Sequence, residues 1–291
     1  MRTPRALTPR TACLASLLAL AFLWPSPAAA GPFFFSTGDP DGKIATLSQP
    51  AGNAHIQTET ADDFILSQQT RITSATFVGL LPLETPLGNI QQVEIEFYHV
   101  FPKDSVLPPS GNVFTRVNSP ADVEIGAATR DSGDGSLSFI AALLTARFTA
   151  ANSVVNGINK SPNQFTGGEG PVTGEEVLIS VTFTTPVDLP PDHYFFRPEA
   201  LLAGGDNFLW LSAPKPIVDG TGPFNPDLQS WIRNDNLAPD WSRIGSDITL
   251  QGPFNATFSL TGETVPEPST LLLLGSGLLG IGAFSAWRRG R

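Results

Sequence analysis

Apolar and polar residues alternate along three stretches of this 291-residue chain, as they do in half-buried β-strands. Residues 92–101 place mainly apolar side chains on one face of a strand and mainly glutamine and glutamate on the other. Residues 176–183 and 254–260 repeat this two-residue period. Each of these segments is therefore expected to form a strand whose apolar face packs on a core.

Turns rich in glycine and proline separate the predicted strands. Examples are Pro-Leu-Gly-Asn at residues 86–89 and Gly-Gly-Glu-Gly at residues 167–170. Short strands joined by such turns predict an all-β fold, an antiparallel β-sandwich or jelly-roll-like single domain over residues 31–264. The pattern of residues 137–155 fits either a longer helix or two strands, so the sequence does not assign the secondary structure of this segment.

The first apolar run of the chain lies at residues 12–24. Three arginines precede this run, and Ala28-Ala29-Ala30 follows it. A basic start, an apolar run of this length and small residues at its end are typical of a secretory signal peptide. We therefore expect signal peptidase to remove residues 1–30 and the remaining chain to be exported.

The last apolar run covers residues 271–287, and Arg288, Arg289 and Arg291 follow it. A helix rises about 1.5 Å per residue, so this run just reaches across a hydrocarbon core of about 30 Å. Arginines directly after such a helix stay on the cytoplasmic side. We therefore expect a transmembrane helix over residues 271–287, with the preceding body outside the inner membrane.

A plain anchor does not need the motif Pro266-Glu267-Pro268 that stands directly before this helix. Pro-Glu-Pro, a glycine-rich apolar helix and terminal arginines, in that order over residues 265–291, resemble the PEP-CTERM sorting signal. The resemblance implies that an exosortase, a membrane-embedded cysteine transpeptidase of Gram-negative bacteria, reads Pro266, Glu267 and Pro268 and cuts nearby. The three terminal arginines would hold the tail in place. An uncleaved membrane anchor is the alternative.

The part of the chain between the two ends is strongly acidic. Residues 31–267 hold eleven lysines and arginines against twenty-seven aspartates and glutamates, a net charge of −16. Such a chain repels phosphate backbones, so we expect no nucleic-acid partner. The single cysteine, Cys13, lies in the predicted signal peptide. The exported part therefore has no disulfide, no thiolate metal site and no cysteine nucleophile.

The segment Gly-Asp-Pro-Asp-Gly at residues 38–42 is a candidate calcium site. Its two carboxylates, Asp39 and Asp41, are spaced as in half of a calcium-binding loop. Asp62 stands at the entry to a later predicted strand and could share the same ion. Aspartate, proline and glycine also form ordinary β-turns, so a turn without calcium is the alternative, and no other cofactor is predicted.

Trp231 and Trp241 lie beside aspartate, asparagine and arginine, where a tryptophan face could stack on a sugar ring of a glycan. Packing inside the protein is the alternative for both. The chain has no metalloprotease HExxH motif and no GxSxG motif. We therefore expect a non-enzymatic cell-surface or matrix protein associated with exopolysaccharide and biofilm. A carbohydrate-binding module and an exported glycan-active enzyme are the alternatives, since paired catalytic carboxylates leave no sequence motif.

Overall fold

Strands dominate the structure, a computed structural model that describes residues 30–52, 55–108, 110–158, 166–217 and 227–265. They account for 52% of it and helical turns for 6%, which confirms the all-β class. Residues Gly31–Val265 form one compact unit. None of the helices in the described ranges is long and apolar enough to cross a membrane. The predicted transmembrane helix and all of the predicted signal peptide except residue 30 lie outside the described residues.

The strands are numbered in chain order. They are β1 Pro32–Ser36, β2 Ile44–Leu47, β3 Thr58–Leu66, β4 Thr70–Leu81, β5 Ile90–His99, β6 Arg130–Asp131, β7 Leu137–Ala150, β8 Asn152–Val154, β9 Val172–Leu189, β10 Asp192–Leu202, β11 Leu209–Ala213, β12 Trp231–Asn234, β13 Ser242–Arg243, β14 Asn255–Ala256 and β15 Phe258–Thr264. Short helical turns occur at Leu87–Asn89, Gly126–Ala128, Ala203–Gly205 and Ile244–Ile248.

These strands form a larger and a smaller sheet. The larger sheet has the order β1-β15-β4-β11-β2-β8. Three further strands join it: β9 pairs with β4, β7 pairs with β9, and β14 pairs with β11. The smaller sheet has the order β13-β12-β3-β10-β5-β6. All described pairs of strands are antiparallel except β2 with β8. The fold is thus built mainly from contacts between strands that are distant in sequence.

The two sheets pack their apolar faces against each other. Phe258 of the larger sheet stacks on Phe196 of the smaller sheet, with 4.9 Å between ring centroids. Trp210 packs edge-on against the same Phe196 ring at 6.1 Å. On β5, Val93 and Ile95 are fully buried in this core, as the alternation of residues 92–101 predicts.

The ambiguous segment at residues 137–155 forms the two strands β7 and β8. Strand β7 pairs with β9 from Leu137 opposite Phe183 to Ala150 opposite Val172. The long partner strand offers β7 a hydrogen-bonding edge along its length, which the local sequence pattern cannot reveal. Strand β8 then joins the far edge of the same sheet through β2.

The outer face of the smaller sheet is covered by the segments that follow β5 and β12. Trp241, from the second segment, donates its indole N–H to the carbonyl of Ala121, from the first, at 3.2 Å. Buried Arg116 also joins the two segments, since its guanidinium contacts both Asp122 and Asp240. Side chains on this face therefore sit in a partly enclosed environment, although they lie on the side of the sheet away from the core.

Candidate functional site: a carboxylate-arginine cleft

A cleft of about 480 Å³ opens on the outer face of the smaller sheet. Its volume lies within the range of about 300–1,000 Å³ that is usual for small-ligand sites. Strands β3, β5, β10 and β12 supply most of its lining, because outward-pointing positions alternate with core positions along each strand. The charged lining residues are Glu59, Glu94, Glu96, Glu124, Arg197 and Arg233.

Strand register brings these acids and arginines together. Arg197 on β10 stands opposite Glu96 on β5, and Glu199 stands opposite Glu94 in the same strand pair. Arg233 on β12 likewise stands opposite Glu59 on β3. Residues directly opposite each other in adjacent strands have side chains within contact distance. In this layer of side chains, two cross-strand pairs, Arg197 with Glu96 and Arg233 with Glu59, join opposite charges, whereas Glu199 and Glu94 form a pair of carboxyl groups.

Arg197 is the centre of this layer, and its side chain is 1% exposed. Its Nη2 contacts the Glu96 carboxylate and lies 3.4 Å from Glu59 Oε1 and 3.5 Å from Glu94 Oε1. Its Nη1 forms an ion pair with Glu199. One buried guanidinium therefore serves four carboxylates.

Glu59 is the best-paired carboxylate of the cleft. It accepts a hydrogen bond from the Tyr98 hydroxyl at 2.8 Å and from Arg233 Nη2 at 3.1 Å. Burial raises the pKa of Glu59, but the charges of Arg233 and Arg197 outweigh burial and hold that pKa below its ordinary value. Glu59 is therefore ionised at neutral pH.

Two other carboxyl groups behave in the opposite way. Burial raises the pKa of Glu94 to about 7; the Arg197 charge opposes this effect, and a hydrogen bond with Glu96 adds to it. Burial also raises the pKa of fully buried Glu199 well above its ordinary value, despite the adjacent Arg197. The carboxyl groups outnumber the guanidinium groups in this cleft, and protons make up part of the difference at neutral pH.

Several polar atoms of this layer make no hydrogen bond to any part of the chain that the structure describes. They are Arg197 Nε, Arg197 Nη1 and Glu199 Oε1, all of them buried. The Arg197–Glu199 ion pair is close but is not aligned as a hydrogen bond. Buried polar groups without partners are uncommon because desolvation without a hydrogen bond costs about 1–3 kcal/mol each.

The C-terminal segment is assigned by comparison with protein families. Residues 264–289 match the PEP-CTERM protein-sorting motif. The chain carries a PEP-CTERM motif. This match confirms the resemblance found in the sequence and indicates an exported protein that an exosortase sorts to the cell surface. A search of curated proteins with the chain gives no match. The motif residues Pro266, Glu267 and Pro268 and the three terminal arginines lie outside the described residues.

The two tryptophans proposed to stack on glycans are buried in this chain. Trp231 is 1% exposed and Trp241 is 0% exposed, so neither offers a face to a sugar ring. The covering segments enclose the outer face of the sheet, and both rings fill the space beneath them. Trp241 instead supports the cleft from behind, because the Arg233 guanidinium lies 4.3 Å from its ring centroid.

The three aspartates proposed to bind calcium are not brought together. Asp39 is exposed, whereas Asp41 accepts hydrogen bonds from Ser212 Oγ at 2.5 Å and from the Lys43 N–H at 3.0 Å. The contacts of Asp41 are those of an aspartate that stabilises a turn. Across the described ranges, no three His, Cys, Asp or Glu side chains are placed to hold one metal ion.

Asp62 lies inside the protein, between the two sheets. Its carboxyl group accepts hydrogen bonds from Ser230 Oγ and from the backbone N–H of Ala256, both at 2.9 Å. Burial, and then the charge of neighbouring Asp63, raise the pKa of Asp62 well above its ordinary value. Asp62 therefore links β3 to β14 as a neutral acid.

We expect Asp62→Asn to raise the melting temperature at neutral pH. A carboxyl group whose pKa is raised by folding stabilises the folded state below its ordinary pKa and loses that contribution as pH rises. Asparagine keeps the shape of the side chain and cannot ionise, so the gain over the native chain should grow from pH 4 to pH 8. Thermal unfolding across this range measures the gain. Asp188→Asn, at an exposed aspartate, should show no such growth; a gain that is constant with pH would contradict the buried neutral acid.

The sequence does contain a pattern that points to the cleft residues, namely charged side chains at every second position of two strands. The glycan and calcium hypotheses did not use this pattern. Glu94, Glu96 and Tyr98 recur at every second position of β5, and Arg197 and Glu199 repeat that spacing on β10. Alternation predicts that each set shares one face of its strand. It does not predict that the two sets pair with each other.

Proposed function

We propose that this chain is an exosortase substrate that acts at the cell surface or in the extracellular matrix, associated with exopolysaccharide and without catalysing a reaction. The match of residues 264–289 to the PEP-CTERM sorting motif is the observation that carries the proposal. Signal peptidase would first remove residues 1–30, and residues 271–287 would then hold the protein transiently in the inner membrane. Cleavage near Pro-Glu-Pro would release the β-sandwich body.

The geometry of the cleft supports binding rather than hydrolysis. A glycosidase holds two carboxyl groups on opposite sides of the scissile bond, about 5–9.5 Å apart. Glu94 and Glu96 instead share a hydrogen bond, and both approach the same nitrogen of Arg197. Two carboxyl groups joined in this way leave no room between them for a sugar linkage.

Processing of the tail is the first test. In a host that has an exosortase, intact-mass analysis of protein extracted from the surface should show a chain that lacks residues 271–291. Glu267→Ala should reduce this processing because the motif loses its only carboxylate. Glu263→Ala, an equal loss of charge just outside the matched residues, should leave processing unchanged. A native chain that reaches the surface with residues 271–291 still attached would refute the sorting proposal.

A further inference from the structure

We infer that the carboxylate-arginine cleft binds an amino sugar, a sugar unit that carries a primary ammonium group next to free hydroxyl groups. This inference rests on the proposed function, because an exopolysaccharide at the cell surface is the source of such a ligand. The argument uses three properties of the cleft: its charge, its unpaired donor and its access to solvent.

The charge of the cleft calls for a cation. Glu59 is matched by Arg233, with which it forms a close ion pair. Glu94 and Glu96 share the guanidinium of Arg197 with Glu199, and burial keeps Glu199 protonated by raising its pKa, so Glu94 is the carboxyl group without a counter-ion of its own. An ammonium group beside Glu94 would supply the missing positive charge and would donate charge-assisted hydrogen bonds, which are stronger than neutral ones.

The unpaired donor calls for a hydroxyl group on the same ligand. Arg197 lines the cleft, its side chain is 1% exposed, and its Nε has neither a hydrogen-bond partner nor an ion-pair contact in the described ranges. A guanidinium can only donate hydrogen bonds, so its partner must be an acceptor. Sugar hydroxyl oxygens are acceptors, whereas an ammonium group or a metal ion is not. A ligand that carries an ammonium group and a hydroxyl group can pair with Glu94 and with the free donor of Arg197 at the same time.

Solvent reaches the cleft at Glu94. The side chain of Glu94 is 18% exposed, and Glu124 on the covering segment is exposed at the rim. Glu199 is fully buried, and its Oε2 accepts a hydrogen bond from Gln57 Nε2 in the cleft lining at 3.3 Å. The ammonium group would therefore meet Glu94 and Glu124, while Glu199 holds Arg197 in place from behind.

Titration calorimetry with two matched ligands tests the inference. The full chain, in detergent micelles at pH 7, is titrated with oligomers of glucosamine and separately with the same oligomers of N-acetylglucosamine. Acetylation of the amine removes its positive charge and leaves all hydroxyl groups in place. We therefore expect the glucosamine oligomers to bind at least about tenfold more tightly. Equal affinity for the two ligands would overturn the inference.

Variants locate the binding. Glu94→Gln should weaken binding of the glucosamine oligomers about tenfold, the effect of losing a hydrogen bond to a charged group. Glu124→Gln at the exposed rim should weaken it less, about threefold, and is a change on which folding does not depend. Glu263→Gln removes the same charge on the larger sheet and should leave the affinity unchanged. Unchanged affinity in both cleft variants would overturn the inference.

Proton release provides a readout that a purely structural role of Glu94 would not change. An ammonium group that binds beside Glu94 favours its ionised form, so the native chain should release more protons on binding near pH 7 than Glu94→Gln, in which only the amine of the ligand titrates. Heats measured in two buffers of different ionisation enthalpy give the number of protons for each chain. The groups that face Glu94 are Glu96 on its own strand, Arg197 and Glu199 on β10, and Asp131 on β6. Equal proton release in the native chain and in Glu94→Gln would overturn the inference. A chain that binds but keeps its tail would instead refute the sorting proposal alone.

Discussion

Replacement of Arg197 by leucine lowers the free energy of unfolding at pH 7 by about 3–5 kcal/mol, the usual cost of removing one partner from a buried ion pair. The loss is large because Glu96 stays buried without its counter-ion, and Glu199 loses the guanidinium that lies against it. Leucine restores apolar volume but accepts and donates no hydrogen bond. Urea denaturation followed by tryptophan fluorescence measures the change.

An exposed arginine provides the matched control. Arg71 pairs with Asp188 at 2.9 Å, but both side chains are nearly half exposed. Arg71→Leu should therefore change the free energy of unfolding by less than about 1 kcal/mol. The loss in Arg197→Leu should also shrink at pH 5, because a buried carboxyl group that has lost its counter-ion takes up a proton more readily than a paired one. Equal losses in the two variants would show that Arg197 is not the centre of a buried network.

Replacement of Phe258 by alanine lowers the free energy of unfolding by about 3–5 kcal/mol, the range for a large buried aromatic residue. Phe258 is 2% exposed and its ring joins the two sheets, stacking on Phe196 and packing edge-on against Trp210. Alanine leaves a cavity that rigid strands on both sides cannot close.

Phe34 on β1 is the control for this change, since its side chain is 70% exposed. Phe34→Ala should alter the free energy of unfolding by no more than about 0.5 kcal/mol. Urea denaturation of the two variants under identical conditions makes the comparison. A loss below about 1 kcal/mol in Phe258→Ala would mean that the sheets are not held together through this ring.

Local pattern predicted the all-β class and part of the core. Val93, Ile95 and Phe97 are all 0% exposed, because a strand with one apolar face must bury that face. The same reasoning could not resolve residues 137–155. Their strand conformation depends on β9, a partner whose pairing is not encoded in the segment itself.

The cleft could be predicted only in part. Alternation places Glu94 and Glu96 on one face of β5, but Arg197 lies about a hundred residues further along the chain. Their meeting depends on the register between β5 and β10, and a shift of one residue would turn every one of these side chains to the other face. The hypotheses for Trp231 and Trp241 failed for a related reason, since burial of an outward-facing side chain depends on which segment covers it.

The sequence by itself determined that this chain carries a PEP-CTERM motif and that its body is built from strands. Both properties are local: a linear motif needs only its order of residues, and a two-residue period needs only a backbone that is extended. The cleft was decided by the tertiary structure alone. Its charges come from four strands and a covering segment. The guanidinium groups of Arg233 and Arg197 keep Glu59 ionised, whereas burial raises the pKa of Glu94 to about 7, although the two residues are chemically identical.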